Sequence, residues 1–151
     1  MTETARLQAH LILASRFENI EVAERALRDL CAQAGCGGED EYWLMTALRE
    51  ALANAVRHGN RQDPRRRIWV DLGIEGKKVT MRVEDEGSGF DPAQIPDPTQ
   101  PENLLRPSGR GIFYMRQFMN KVDFCRAPGG GTAVVMVREL SQRARSEDHE
   151  E

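Results

Sequence analysis

The chain has 151 residues, 40% of them hydrophobic and 30% charged, with a net charge of −3. That is the composition of one soluble globular domain with enough residues for its own core, and the acidic balance argues against a nucleic-acid binder. Cys31, Cys36 and Cys125 form no CxxC pair, and with three histidines in the chain no zinc-ligand spacing occurs. The thiols are therefore expected to be reduced. No apolar run approaches a membrane span and no signal-peptide pattern opens the chain, so a cytoplasmic location is expected.

Met1 to Ala5 read as a loose terminus. Leu7, Ala9, Leu11 and Leu13 then alternate, which predicts a half-buried strand. From Glu18 a helical period takes over, placing Ile20, Ala23, Leu27, Leu30, Cys31 and Ala34 on one side. Gly35 to Gly38 break it. Glu39 to Glu41 open a second helix with acidic residues that suit the positive end of its dipole. On that helix Glu50, Asn54 and His58 are spaced four apart and share a row, while Leu44, Leu48, Leu52, Ala55 and Val56 form the apolar stripe. Gly59 is expected to end the helix as a left-handed cap. Arg57, Arg61, Arg65, Arg66 and Arg67 make a local basic cluster, either a solvated loop or a docking face for a partner.

After Pro64 the period changes to two. Ile68, Val70, Leu72 and Ile74 share a face, Glu75-Gly76-Lys77 turns, and Val79, Met81 and Val83 line the returning strand. Counting on by two from Val83 reaches Asp85, which puts a carboxylate on the apolar side, where a lone charge is costly. Residues 92–107 hold five of the seven prolines and little apolar periodicity, as a lid or an irregular loop would. Helical spacing resumes with Ile112, Met115, Phe118 and Met119. Val122 and Phe124 give a short strand, Pro128 to Gly131 turn, and Thr132 to Val137 give the last strand. Residues 1–140 are thus expected to be one domain, followed by a polar, mobile tail over 141–151.

Two glycine turns and one helix face carry the chemistry. Gly109, Arg110 and Gly111 stand at a helix start, where backbone N–H groups and a planar cation can meet phosphate oxygens. Alone, that pattern favours a plain loop, and it matches neither a P-loop nor the dinucleotide fingerprint. Asp85 followed by Gly87 and Gly89 is more telling. A buried carboxylate needs a donor such as an adenine amino group, and the glycines allow a flat ring to come close. Asn54 offers an amide oxygen that suits Mg²⁺, and Glu50, one turn earlier, is placed to accept a proton from an attacking hydroxyl or water.

With these residues in this order the chain resembles the GHKL ATPases, the group of gyrase and the histidine kinases. Glu50-x-x-x-Asn54 is similar to their N box. Asp85 to Phe90 is similar to their first glycine box, and Gly109 to Ile112 to their second. The longer run from Glu50 to Gly59 resembles the anti-sigma factor serine/threonine kinases in particular. The resemblance implies a Bergerat fold: an α/β (α+β) two-layer sandwich, with helices on one face of a mixed, mostly antiparallel sheet. It implies ATP and Mg²⁺ as cofactors, Asn54 as the metal ligand, Asp85 as the adenine anchor, and Gly87 and Gly89 as pocket walls. Gly109, Arg110 and Gly111 become phosphate contacts, Thr132 a second adenine contact and Glu50 the general base. His58 matches the pattern without a physical role beyond the helix end. Phe113-Tyr114 depart from it, where many relatives keep a further glycine.

The resemblance implies a kinase that phosphorylates an anti-anti-sigma (STAS-domain) protein and also binds a sigma factor, as a homodimer. The alternative is a nucleotide-dependent module that sequesters a partner without catalysis. A histidine-kinase catalytic domain fits less well, since one short strand and one helix precede the N box here.

Overall fold

The computed structural model describes residues 6–87 and 115–141. Strand β1, Arg6–Ala14, alternates in exposure along its length, as its period-two pattern predicts. A single 3₁₀ turn, Phe17–Asn19, leads into helix α1, Ile20–Ala34, which buries Ala23, Leu27, Leu30, Cys31 and Ala34. The helix stops at Gly35, left-handed at φ 78°, with Cys36 N–H donating to Cys31 O at 3.1 Å.

Helix α2, Gly38–Asn54, continues as a wider π turn over Ala55–Gly59, closed by Asn60 N–H on Ala55 O at 2.7 Å. This corrects two expectations. Gly59 is not the left-handed cap: the left-handed residues are Arg61 (φ 53°) and Gln62 (φ 60°). Non-glycine residues in that region cost roughly 1–2 kcal/mol each. The four-residue spacing also fails beyond Asn54, because the π turn inserts a residue. His58 is therefore exposed while Asn54 is buried, and the expected row ends at Asn54.

Strands β2, Arg67–Glu75, and β3, Lys78–Asp85, form a hairpin around Gly76 at φ 62°. Strands β4, Lys121–Arg126, and β5, Thr132–Glu139, complete a five-stranded sheet of order β1-β2-β3-β5-β4. All four described pairings are antiparallel, so the mixed character expected of the sheet is absent from them. Ile68, Val70, Leu72, Val79, Met81 and Val83 point to one side and meet the buried faces of α1 and α2 in a single core. The architecture is the two-layer α/β sandwich, with Asp85 across from Ile68 at one end of the β2–β3 ladder.

Asp40 and Phe118 tie together segments distant in sequence. Asp40, in the first turn of α2, pairs with Arg138 of β5 at 2.9 Å and accepts the Ser141 N–H at 2.9 Å. Ser141, the first residue of the expected tail, is thereby tied to the domain. Phe118, in a helical turn over 115–118, stacks on Trp43 with centroids 3.4 Å apart and rings 8° from parallel.

Candidate functional site

Asp85 leaves β3 on the core face and is 4% exposed. Its Oδ1 accepts the Gly87 N–H at 2.9 Å and the Thr132 N–H at 3.1 Å. Among the described residues no lysine or arginine forms an ion pair with it. Burial raises its pKa, the two backbone N–H groups oppose that rise, Glu84 adds to it, and Arg66 weakly offsets it. A carboxylate held in place without being neutralised retains hydrogen-bonding capacity for something else.

The backbone around it is fitted closely. A Cβ on Gly59 would lie 2.1 Å from Asp85 Oδ2, and one on Gly87 would lie 1.8 Å from Gly59 O. Gly59 is required for contact with the carboxylate, not for its own dihedral angles. Gly131, before Thr132, is pressed against the Asp85 carbonyl in the same way.

Asn54 comes to the same place from α2. It is 9% exposed, and its Nδ2 has no hydrogen-bond partner among the described residues. A buried orphan of this kind costs about 1–3 kcal/mol and calls for a reason. A half-turn of the amide exchanges nitrogen and oxygen with little change in shape, so either atom can be presented. Asn54, Asp85 and Thr132 line one cavity of about 20 Å³ together with Ala51, Ala55 and Phe124. The two alanines leave a flat, small-residue helix face toward the carboxylate.

Glu50 does not share that cavity. It is half-buried beside a separate space of about 10 Å³, bordered by Trp43, Thr46 and Phe118. His58 is at the surface, its pKa lowered by partial desolvation and by the Arg57 charge. Gly89, Gly109, Arg110 and Gly111 lie outside the described residues, as do the proline-rich segment and Phe113-Tyr114. Sequence reasoning missed Asn60, which bridges the π turn to the residues after Asp85, and Phe124, whose half-buried ring borders the cavity. The alternation of Val122 and Phe124 gave a strand but no hint of which side Phe124 would serve.

A larger cavity, about 270 Å³, lies far from these groups on the other side of the sheet, bordered by Arg6, Gln8, Gly73, Glu75, Lys78 and Thr80. Its charges are exposed and Arg6 pairs with Glu75 at 3.7 Å. Among the described residues the orphaned buried side-chain atoms are Ser15 Oγ and Asn54 Nδ2; neither borders this cavity, and Asn54 borders the smaller one.

The basic cluster is largely paired within the chain. Arg65 and Arg66 meet Asp63, Arg67 meets Glu86 at 2.9 Å, and Arg57 lies over the Phe17 ring at 5.5 Å. That pattern gives the cluster a local structural use.

A sheet backed by helices, with an amide from the helix and a buried carboxylate from a strand end on one pocket, defines the class of GHKL-type ATP-binding domains. Residues 13–138 match the histidine kinase-like ATPase domain family, and the chain belongs to that family. It is 30% identical over 91% of its length to the anti-sigma F factor of Geobacillus kaustophilus, covering 95% of that protein. To the anti-sigma F factor of Oceanobacillus iheyensis it is 29% identical over 87% of this chain and 92% of that one. To that of Bacillus subtilis it is 27% identical over 89% of this chain and 94% of that one. The structure of the RsbU and RsbW domains of Rv1364c from Mycobacterium tuberculosis superposes with a TM-score of 0.66 and 21% identity. That likeness covers 92% of this chain and 33% of the other, and it shows the fold. Family membership implies ATP binding. No helix among the described residues is long and apolar enough to cross a membrane.

Proposed function

We propose that this chain is an anti-sigma factor-type protein serine/threonine kinase, which binds ATP with Mg²⁺ and phosphorylates an anti-anti-sigma (STAS-domain) partner. The observation that carries it is that Asp85, buried and held among the described residues by two backbone N–H groups, shares one small cavity with Asn54, whose Nδ2 is orphaned. Asp85 accepts the adenine amino group, and Thr132 lies beside it. Gly87 belongs to the wall of the base pocket, and Gly89 is assigned there by family resemblance. Gly109, Arg110 and Gly111 are assigned to the phosphates on the same ground.

The donor set fits a hard cation. Asn54 presents a neutral amide oxygen, and Mg²⁺ takes few protein ligands when phosphates and waters supply the rest. Bound there, the metal would neutralise charge on the phosphates. Glu50 accepts the proton of a partner's serine or threonine hydroxyl as its oxygen bonds to the γ-phosphorus and the bridging oxygen leaves with ADP. A sigma factor is the second partner, competing with the phosphorylatable one. A homodimer in the cytoplasm is the proposed working state. The names of the anti-sigma F relatives support this reading.

A second reading, nucleotide-dependent sequestration without catalysis, is favoured by one observation: Glu50 faces a different cavity from Asn54, behind the Trp43–Phe118 stack. Labelled ATP, Mg²⁺ and a co-purifying partner separate the two. On the kinase reading Glu50→Gln lowers phosphate transfer about 10²–10⁴-fold while ATP affinity holds. Transfer at the wild-type rate in Glu50→Gln removes the base role. ATP binding with no labelled partner selects sequestration.

A further inference from the structure

Asn60 has no solvent exposure, and both ends of its amide bond backbone groups, one at the start of β2 and one just after β3. Its Oδ1 accepts the Glu86 N–H at 2.8 Å, and its Nδ2 donates to the Arg67 carbonyl at 3.1 Å. Its own N–H closes the π turn on Ala55 O, and its carbonyl accepts the Asp63 N–H at 3.1 Å. Glu86 completes the bracket from the other side, its Oε1 taking the Arg67 N–H at 2.7 Å and its Oε2 the Arg67 guanidinium at 2.9 Å. One buried side chain thus joins the end of α2, the start of β2 and the residue after Asp85.

The location gives this bracket its consequence. Residue 59 packs on the Asp85 carboxylate and residue 87 on the Gly59 carbonyl, both closer than any Cβ would permit. The carboxylate is therefore gripped by two strips of backbone, and Asn60 holds those strips together. The π turn delivers Asn60 to this point: a regular helical turn would rotate the side chain away from Glu86. Gly87 N–H, one of the two donors to Asp85 Oδ1, belongs to the segment that Asn60 anchors.

We propose that Asn60 is a positioning residue for the adenine-facing carboxylate, fixing the direction of Asp85 Oδ2 and hence the discrimination between a 6-amino and a 6-oxo purine. This rests on the nucleotide reading of the site. Adenine offers an N–H donor to a carboxylate, whereas hypoxanthine offers a carbonyl oxygen, which the carboxylate repels. A rigidly aimed acceptor discriminates strongly between the two, and a wandering one less so.

The test is direct binding of ATP and of inosine triphosphate, both with Mg²⁺, to the full chain and to Asp85→Asn, Asn60→Leu and Asn60→Asp. Leucine fills the asparagine's volume without its hydrogen bonds, and aspartate restores the oxygen that receives the Glu86 N–H. The wild type is expected to prefer ATP by about 100-fold or more. Asn60→Leu is expected to reduce that preference about tenfold, and Asn60→Asp to recover most of it. Wild-type preference in Asn60→Leu, or recovery no better in Asn60→Asp than in Asn60→Leu, overturns the role. Should Asn60→Leu not fold, hydrogen exchange on the wild-type chain decides: a protected Glu86 amide supports the bracket, and exchange at the unfolded rate overturns it. Failure of the wild type to bind ATP at all is a different result, because it removes the nucleotide reading itself.

Discussion

Asp40 and Asp85 stand near opposite ends of the same helix, and both carboxylates are buried. Asp40 receives the Arg138 guanidinium through Nε at 3.1 Å and Nη2 at 2.9 Å, and the Ser141 N–H and hydroxyl at 2.9 and 3.2 Å. Burial pushes its carboxyl up, but the Ser141 and Arg138 donors outweigh this and its pKa lies below the ordinary value. Asp85 receives two backbone N–H groups on one oxygen, and burial prevails, raising its pKa. The first aspartate is satisfied by the protein. The second is held in position but, among the described residues, left unneutralised, as expected of a group whose partner arrives from outside.

Removing Asp40 is the strongest way to break the contrast. Asp40→Ala leaves the Arg138 guanidinium, whose side chain is 15% exposed, with the Phe118 carbonyl but no countercharge, and the expected loss is about 3–5 kcal/mol in urea unfolding. ATP affinity should remain within about threefold wherever the variant stays folded. A loss below about 1 kcal/mol would show that the Asp40 cluster does not hold the fold. Asp85→Asn should do the reverse. Its ATP affinity is expected to fall about 100-fold, near 2.7 kcal/mol, while the urea midpoint rises because a buried charge has been removed. If calorimetry gives unchanged ATP binding, Asp85 is a structural acid after all.

The close packing at the carboxylate offers a smaller test. Gly59→Ala forces a Cβ to within 2.1 Å of Asp85 Oδ2 and is expected to cost about 1–3 kcal/mol and to weaken ATP binding. Gly129→Ala, where a Cβ meets open space, serves as the control and should unfold within about 0.5 kcal/mol of wild type.

The finest test is pH. The folded pKa of Asp40 is lowered, so its stabilisation is full above the unfolded value of about 4 and is lost as pH falls through the folded one. The folded pKa of Asp85 is raised, so its contribution is full below the unfolded value and is lost as pH rises through the folded one. Urea midpoints across the acid range should therefore show less acid loss in Asp40→Ala than in wild type. In Asp85→Asn the decline just above pH 4 should be absent. Identical pH slopes in wild type and Asp85→Asn would contradict the assigned shift.

These two aspartates also divide what could be read along the chain from what could not. The burial of Asp85 follows from counting by two along Val79, Met81 and Val83, because a strand alternates its faces without reference to anything distant. Asp40 looked like one of three acids suited to a helix dipole. Its real partner, Arg138, is 98 residues away and no local pattern announces it.

The elements themselves were legible because their causes are local. Period two marks β1, β2 and β3, period 3.6 marks α1 and α2, and Gly35 and Gly76 take left-handed conformations where the turns need them. The pairing of Asn54 with Asp85 was legible through the order of motifs. Gly59 was placed in the right stretch for the wrong reason, since nothing in a list of residues shows that a carboxylate will press on its Cα. The inserted π-turn residue, the eclipse of His58, the bracket around Asn60 and the cavity that separates Glu50 from Asn54 all depend on contacts across strands and helix. Local periodicity determined which segments form and which face each one buries. Only the tertiary packing decided which of the buried polar groups are satisfied and which remain available for a ligand, because that depends on partners brought together from distant parts of the chain.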